Sequence, residues 1–353
     1  MVRQFLAGSL LALCSAGFLA AQPQPAAAAP DGDGAMHLNV EVTNARGTPV
    51  GGLAQRNFTL LDNKRPVSIR NWKAQGSAAT GAAEPVQAVL VMDTVNMEFR
   101  HVAYVRQEVT RFLRRNNGHL AVPVSIYAVT DESVDVISQP SRDGNIVADR
   151  LAHTHGILRD MNRRAGDYGA GEQFQISLNM LGVILQNEVH LPGRKLLIWL
   201  GPGWPWLPDA DLEQPLYSLH EKYFRAVEAY SQLMREADTT LYSVSIGDPN
   251  AITYLYQSYL KGLRSPGEAD TGNLSLKVLT VQSGGLALDP NYDLARSIAL
   301  CVQDASAYYT LSFTPPAGKP DEYHSLQIRL DQPGLKARTT TGYYAKSPPG
   351  AAR

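Results

Sequence analysis

Gln87-Ala-Val-Leu-Val-Met-Asp93-Thr-Val-Asn-Met97 decides the fold of this chain. An apolar run stops at an acidic residue, and a helical pattern follows from Phe99 to Arg115. This predicts a buried parallel strand carrying a carboxylate to the carboxyl edge of a sheet. In open α/β sheets ligands bind at that edge, beside the point where strand order reverses. Outward from this segment, strand patterns at 86–92, 124–129, 195–200 and 240–246 alternate with helical patterns at 102–113, 145–151, 174–188, 219–237, 276–282 and 294–304. A short acidic turn makes 133–137 the hairpin partner of 124–129. The expected architecture over 85–305 is α/β: a doubly wound, mainly parallel sheet of Rossmann type.

The two ends of the chain follow a different period. His37-Leu-Asn-Val-Glu-Val-Thr43 alternates polar and apolar residues, and strands are expected again at 58–61 and 67–72. Beyond residue 306 the strand patterns are 308–313, 323–330, 335–340 and 343–344. The β-rich segments 35–75 and 306–346 are each too small to close a core alone. They are expected to fold together as one module, with the α/β unit inserted between them. Gly- and Ala-rich residues 76–84 read as a linker.

The chain has 353 residues, 44% of them hydrophobic, and a net charge of -1. With basic and acidic residues almost balanced, nothing suggests a nucleic-acid-binding face, which needs clustered Lys and Arg. Arg111, Arg114 and Arg115 do cluster, on one helix, as a solvated face. Residues 1–21 read as a secretory signal, with Arg3 at the start and a short apolar stretch from Phe5 to Leu19. Cys14 offers a lipoprotein alternative, but Leu13 stands where a small residue is preferred. Residues 22–34 form a Pro/Ala/Gln-rich tether. The expectation is a secreted or periplasmic protein with no membrane span in its mature chain. Cys301, in the run Ile298-Ala-Leu-Cys-Val302, reads as a buried inert thiol, since no His follows to activate it.

The ordered series of segments resembles a von Willebrand factor type A domain. Val89-Leu-Val-Met-Asp93 resembles its first strand with the metal-site aspartate. The runs 124–129 with 134–137, 196–201 and 241–247 resemble its later strands, and Val281-Gln-Ser-Gly-Gly285 the stretch before its last one. Asn44 to Asp62, Tyr308-Tyr309, Pro315-Pro316 and Gly342-Tyr343-Tyr344 resemble a secreted von Willebrand A-related group frequent in Acidobacteria. The resemblance implies a metal-ion-dependent adhesion site of hard oxygen ligands, which leaves one coordination position for a partner's carboxylate. Asp93 matches its first position. Val95 and Met97 stand where serines belong, and the strand ending Trp199-Leu-Gly201-Pro202 lacks the third-loop aspartate. The second loop, 166–175, has Asp167, Tyr168 and Glu172 but no threonine.

The candidate site is therefore degenerate. Asp93 with Asn96 is the residual metal set, for Mg²⁺ or Ca²⁺ if any ion binds; Thr94 offers an oxygen and Glu98 a second carboxylate. The alternative is that Asp93 caps the helix that follows. Trp204 and Trp206 bracket a proline on the same edge, either as stacking surfaces for a partner or as a plug over the sheet. Asp209 and Asp211 after them read as a solvated loop. Catalytic constellations are weak: His153-Thr-His155 lacks a third zinc ligand, and Ser243 and Ser245 lack a nucleophile elbow. Gly201-Pro-Gly203 lacks the phosphate-loop continuation.

The leading expectation is an exported, non-catalytic binding protein without a cofactor. It meets a protein or cell-envelope component through Asp93, Thr94, Asn96, Glu98, Trp204 and Trp206. The rival expectations are divalent-cation-dependent adhesion through Asp93, and a hydrolase with an unrecognised site.

Overall fold

The decisive segment forms β5 (Val86–Asp93), the centre of a six-stranded sheet. The computed structural model describes residues 34–345 apart from 78, 80–83, 155–166, 206–215 and 248–254. The expected signal and nearly all of the tether, with Trp206, His155, Asp209 and Asp211, lie outside the described residues. β5 pairs in parallel with β6 (His119–Val129) on one side and β8 (Arg194–Gly201) on the other. β8 continues in parallel to β9 (Thr239–Ser245), and β9 to β10 (Ala287–Leu288). β7 (Val134–Asp143) closes the opposite edge antiparallel to β6. The order is β10-β9-β8-β5-β6-β7. The chain winds outward one way from β5 and then the other way from β8, so order reverses between those two strands. Their carboxyl ends define the binding crevice of such sheets.

Burial on both faces explains the unbroken apolar runs. Ala88, Leu90 and Met92 face a core shared with α1 (Phe99–Leu113), α2 (Gly144–His153) and α6 (Leu294–Gln303). Val89 and Val91 face the other core, shared with α3 (Asp167–Val189), α4 (Leu216–Glu236) and α5 (Leu276–Gln282). Cys301 is fully buried in the first core, and burial pushes its thiol pKa upward. A thiol held protonated there is inert, as expected.

The chain ends build two four-stranded sheets. One has the order β13 (Lys336–Arg338), β1 (Met36–Thr43), β11 (Ala307–Phe313), β4 (Asn71–Gly76). The other has β14 (Gly342–Tyr344), β12 (Tyr323–Leu330), β2 (Phe58–Asp62), β3 (Arg65–Val67). Each sheet interleaves strands from both ends, and their apolar faces meet around Val40, Leu60, Tyr309, Phe313 and Ile328. The single strand expected at 67–72 is instead β3 and the start of β4. Asn63 and Lys64 take φ of 48° and 66°, turning β2 into β3 through the left-handed two-residue geometry that hairpins favour. The sequence places a turn at Asp62-Asn63-Lys64, and the chain turns there.

A buried charge cluster joins the two units. Arg194, the first residue of β8, donates to Glu41 of β1, and both are buried. The Arg194 guanidinium lies 4.4 Å from the Tyr308 ring centroid. Arg338 of β13 donates to Asp304, just after α6, and Tyr242 of β9 donates to the same oxygen at 2.7 Å. Burial pulls the Arg194 pKa down, but Glu41, Tyr242, Tyr308 and Asp304 together outweigh it and the net shift is upward. Removing one member of such a pair strands the other charge out of water. Glu41→Gln should therefore cost about 3–5 kcal/mol in urea unfolding, while the double change Glu41→Leu with Arg194→Met should recover most of it. Equal losses in the single and double variants would refute a joint held by charge.

Candidate functional site

Asp93 sits at the carboxyl tip of β5, as the sequence requires, but it does not open to solvent. It is fully buried. Trp199 of β8 donates its indole N–H to Asp93 Oδ2 at 2.9 Å. Asn96 donates its side-chain amide to the same oxygen at 2.8 Å and its backbone N–H to Oδ1 at 3.2 Å. The Asn96 amide also donates to Ser177 Oγ on α3 at 2.8 Å, and Ser177 donates to the Gln173 carbonyl at 2.8 Å. Gln173 in turn reaches the Val95 carbonyl at 3.4 Å. The carboxylate is thus the hub of a network tying β5, β8 and α3 together below the surface.

Close packing makes this possible. A Cβ on Gly201 would stand 2.9 Å from Asp93 Cβ. The glycine that ends β8 therefore leaves the space the aspartate occupies. Above the hub lies Trp204, half-buried, with its ring edge-on to Trp199 at 5.4 Å and to Phe174 at 6.2 Å. Its indole N–H is buried without an acceptor. Val95 and Met97, at the two positions that metal sites give to serine, are buried apolar residues.

Several expectations are corrected here. Asp93 is no surface ligand for a partner, because its oxygens are covered and hydrogen-bonded. Nor does it cap α1: that helix starts at Phe99 with Glu98 in the cap position and no side-chain cap bond. Asp93 caps the turn at Asn96 instead, the local use of Asp side chains in turns. Thr94 is buried and donates to the Val129 carbonyl at 2.6 Å. Asn96 is spent as a donor inside the hub. Trp204 packs as the plug. Of the expected contact residues, Glu98 remains exposed, paired with Arg100 at 2.8 Å, and Trp206 is outside the described residues.

A divalent cation does not fit the described geometry. It needs several hard oxygens with free lone pairs, whereas N–H groups already point at Asp93. Asn96 Oδ1 is a buried oxygen without a partner, and one carbonyl is far short of a ligand set. No group of three or more His, Cys, Asp or Glu suited to a metal occurs among the described residues. His153 is exposed, with Nδ1 2.7 Å from the Asp149 carbonyl.

Sequence reasoning missed three residues at this edge. Trp199 lies in a strand buried throughout, and a buried indole N–H demands an acceptor; it stands opposite Val91, and its indole reaches Asp93, two positions further along β5. Ser177 is a polar interruption among Phe174, Leu178 and Leu181. Phe99 is 64% exposed at the start of α1; as the first apolar residue of a helical pattern it was indistinguishable from core.

No protein family model and no curated protein matches the chain. Solved structures similar to it include the conserved hypothetical protein BatB from Bacteroides thetaiotaomicron, at 11% identity and TM-score 0.34, covering 63% of this chain and 98% of that one. The SpRpn10 VWA domain is 10% identical with TM-score 0.30, covering 62% and 94%. The N-terminal domain of TFIIH p34 is 13% identical with TM-score 0.29, covering 62% and 96%.

Burial raises the Asp93 pKa, against the opposing hydrogen bonds from Trp199 and Asn96. The folded chain then holds this proton more tightly than the unfolded chain, so ionisation of Asp93 opposes folding. Its contribution to stability is full below the unfolded value near pH 4 and is lost as pH climbs to the raised folded value. Urea unfolding from pH 4 to 8 should show this decline in the parent protein and not in Asp93→Asn. Parallel pH profiles for the two would show that Asp93 contributes no such term.

Proposed function

We propose that this chain is an exported, non-catalytic binding protein. In this reading a von Willebrand A-like unit presents its carboxyl-edge loops to a protein or cell-envelope partner, and the β-sandwich built from both chain ends supports it. The observation that carries the reading is the occupied hub: the acidic tip that would serve a metal or a reaction is consumed internally by Trp199 and Asn96. What the edge offers outward is a surface. Phe99 stands exposed there, flanked by the Glu98–Arg100 ion pair. A large aromatic ringed by charge is the composition of an interface anchor.

Phe99→Ala should abolish capture of a partner from the native envelope fraction while leaving stability within about 0.5 kcal/mol, since a surface ring supports little of the fold. Trp204→Ala should instead lower unfolding stability by about 2–3 kcal/mol through the cavity left over Trp199. Undiminished capture by Phe99→Ala would sink the edge as the contact surface. The cation-dependent alternative predicts heat and a thermal shift on titration with Mg²⁺, Mn²⁺ or Ca²⁺; we expect neither. The hydrolase alternative predicts turnover in an esterase, glycosidase and peptidase screen of the mature protein, where we expect none.

A further inference from the structure

At the opposite, amino end of the sheet a cleft of about 670 Å³ separates the α/β unit from the sandwich. That volume is within the range of small-molecule sites. Leu38, Met234, Leu311 and Tyr344 contribute apolar wall. Arg235, in the last turn of α4, lines it too.

Arg235 differs from Arg194, Arg338 and Arg225. Arg194 has Glu41, Arg338 has Asp304, and Arg225 has Glu221, Glu228 and Asp321. Arg235 has one side-chain hydrogen bond among the described residues, from Nη1 to Ser231 Oγ at 2.9 Å. Burial pulls its pKa down to about 10, and the neighbouring Glu236 does not restore it. The carboxylates in the cleft wall are engaged elsewhere: Asp238 accepts from Asn39 at 2.7 Å, and Glu84 lies 4.0 Å from Lys73. Thr341, also in the wall, holds a hydroxyl oxygen that is buried without a partner. A guanidinium short of counter-charge and an unused hydroxyl thus share one cavity with apolar walls.

We propose that this cleft binds a small monocarboxylate with an apolar body, its carboxylate paired with Arg235 and hydrogen-bonded by Thr341. The planar guanidinium fork matches a carboxylate in shape. A single uncompensated cation matches a monoanion; a phosphate dianion would ask for a second. The apolar walls take the body. The site is independent of the carboxyl-edge surface, at the other end of the same strands.

The test is ligand-detected NMR and thermal shift on the mature protein, with hexanoate as probe and hexanamide and inorganic phosphate as controls. Hexanoate should bind at millimolar concentration and raise the melting temperature, and both controls should fail. Arg235→Gln should weaken hexanoate at least tenfold, and Thr341→Val severalfold, with melting temperatures of the free proteins at or near the parent value. Thr341→Val keeps the test open if Arg235→Gln folds poorly. Absence of hexanoate binding at 20 mM, equal binding of hexanamide or phosphate, or unchanged affinity in the variants would overturn the proposal.

Discussion

The buried pairing of Arg194 with Glu41 is the constraint on which the architecture depends. It joins the first residue of a central strand of one unit to a central strand of the other, where neither charge meets water. A charged group placed there is tolerable only with its partner in place. The two units therefore have one relative position in which both charges are compensated. Arg338, Asp304 and Tyr242 extend the same requirement across the joint. The cleft beside Arg235 is lined by residues of both units.

The carboxyl edge obeys a second internal constraint. An aspartate at the switch point of such a sheet is expected to face a ligand. Here the neighbouring strand supplies an indole donor and a glycine that makes room, and the loop after β5 supplies an amide. Once these donors converge, the carboxylate functions as a structural acceptor that positions three elements. Among the described residues, the N–H groups that point at Asp93 leave its oxygens engaged rather than free for a cation.

The fold was legible because its signals are periodic and redundant. The run ending at Asp93 is apolar at every position from Ala88 to Met92, which suits a strand covered on both faces. The alternation in 37–43 and 323–330 suits one-sided sheets. Adjacency of the two chain ends followed from the inability of either to bury its apolar face alone. The site was less legible because its chemistry lies in pairings between distant residues. Asp93 and Trp199 are 106 positions apart, and nothing in either local segment says that the indole and the carboxylate meet. Whether a carboxylate at a strand tip looks outward or inward depends on the side chains above it, here Trp204. The isolation of Arg235 is a property of what its surroundings lack, which no motif records.

The strand pairing of the sandwich also bears on biosynthesis. Met36 of β1 lies opposite Phe313 of β11, so β1 acquires its neighbours only after the whole inserted unit has been made. Gly76 and Ala307 are likewise opposed, which makes the inserted unit a closed excursion that leaves and returns at one point. Until the excursion has folded, β1 and β2 present unpaired, apolar-faced edges of the kind that recruit foreign strands. Closure over such a separation is slow. A chain emerging amino end first therefore carries those edges open until β11 and β12 arrive to cover them.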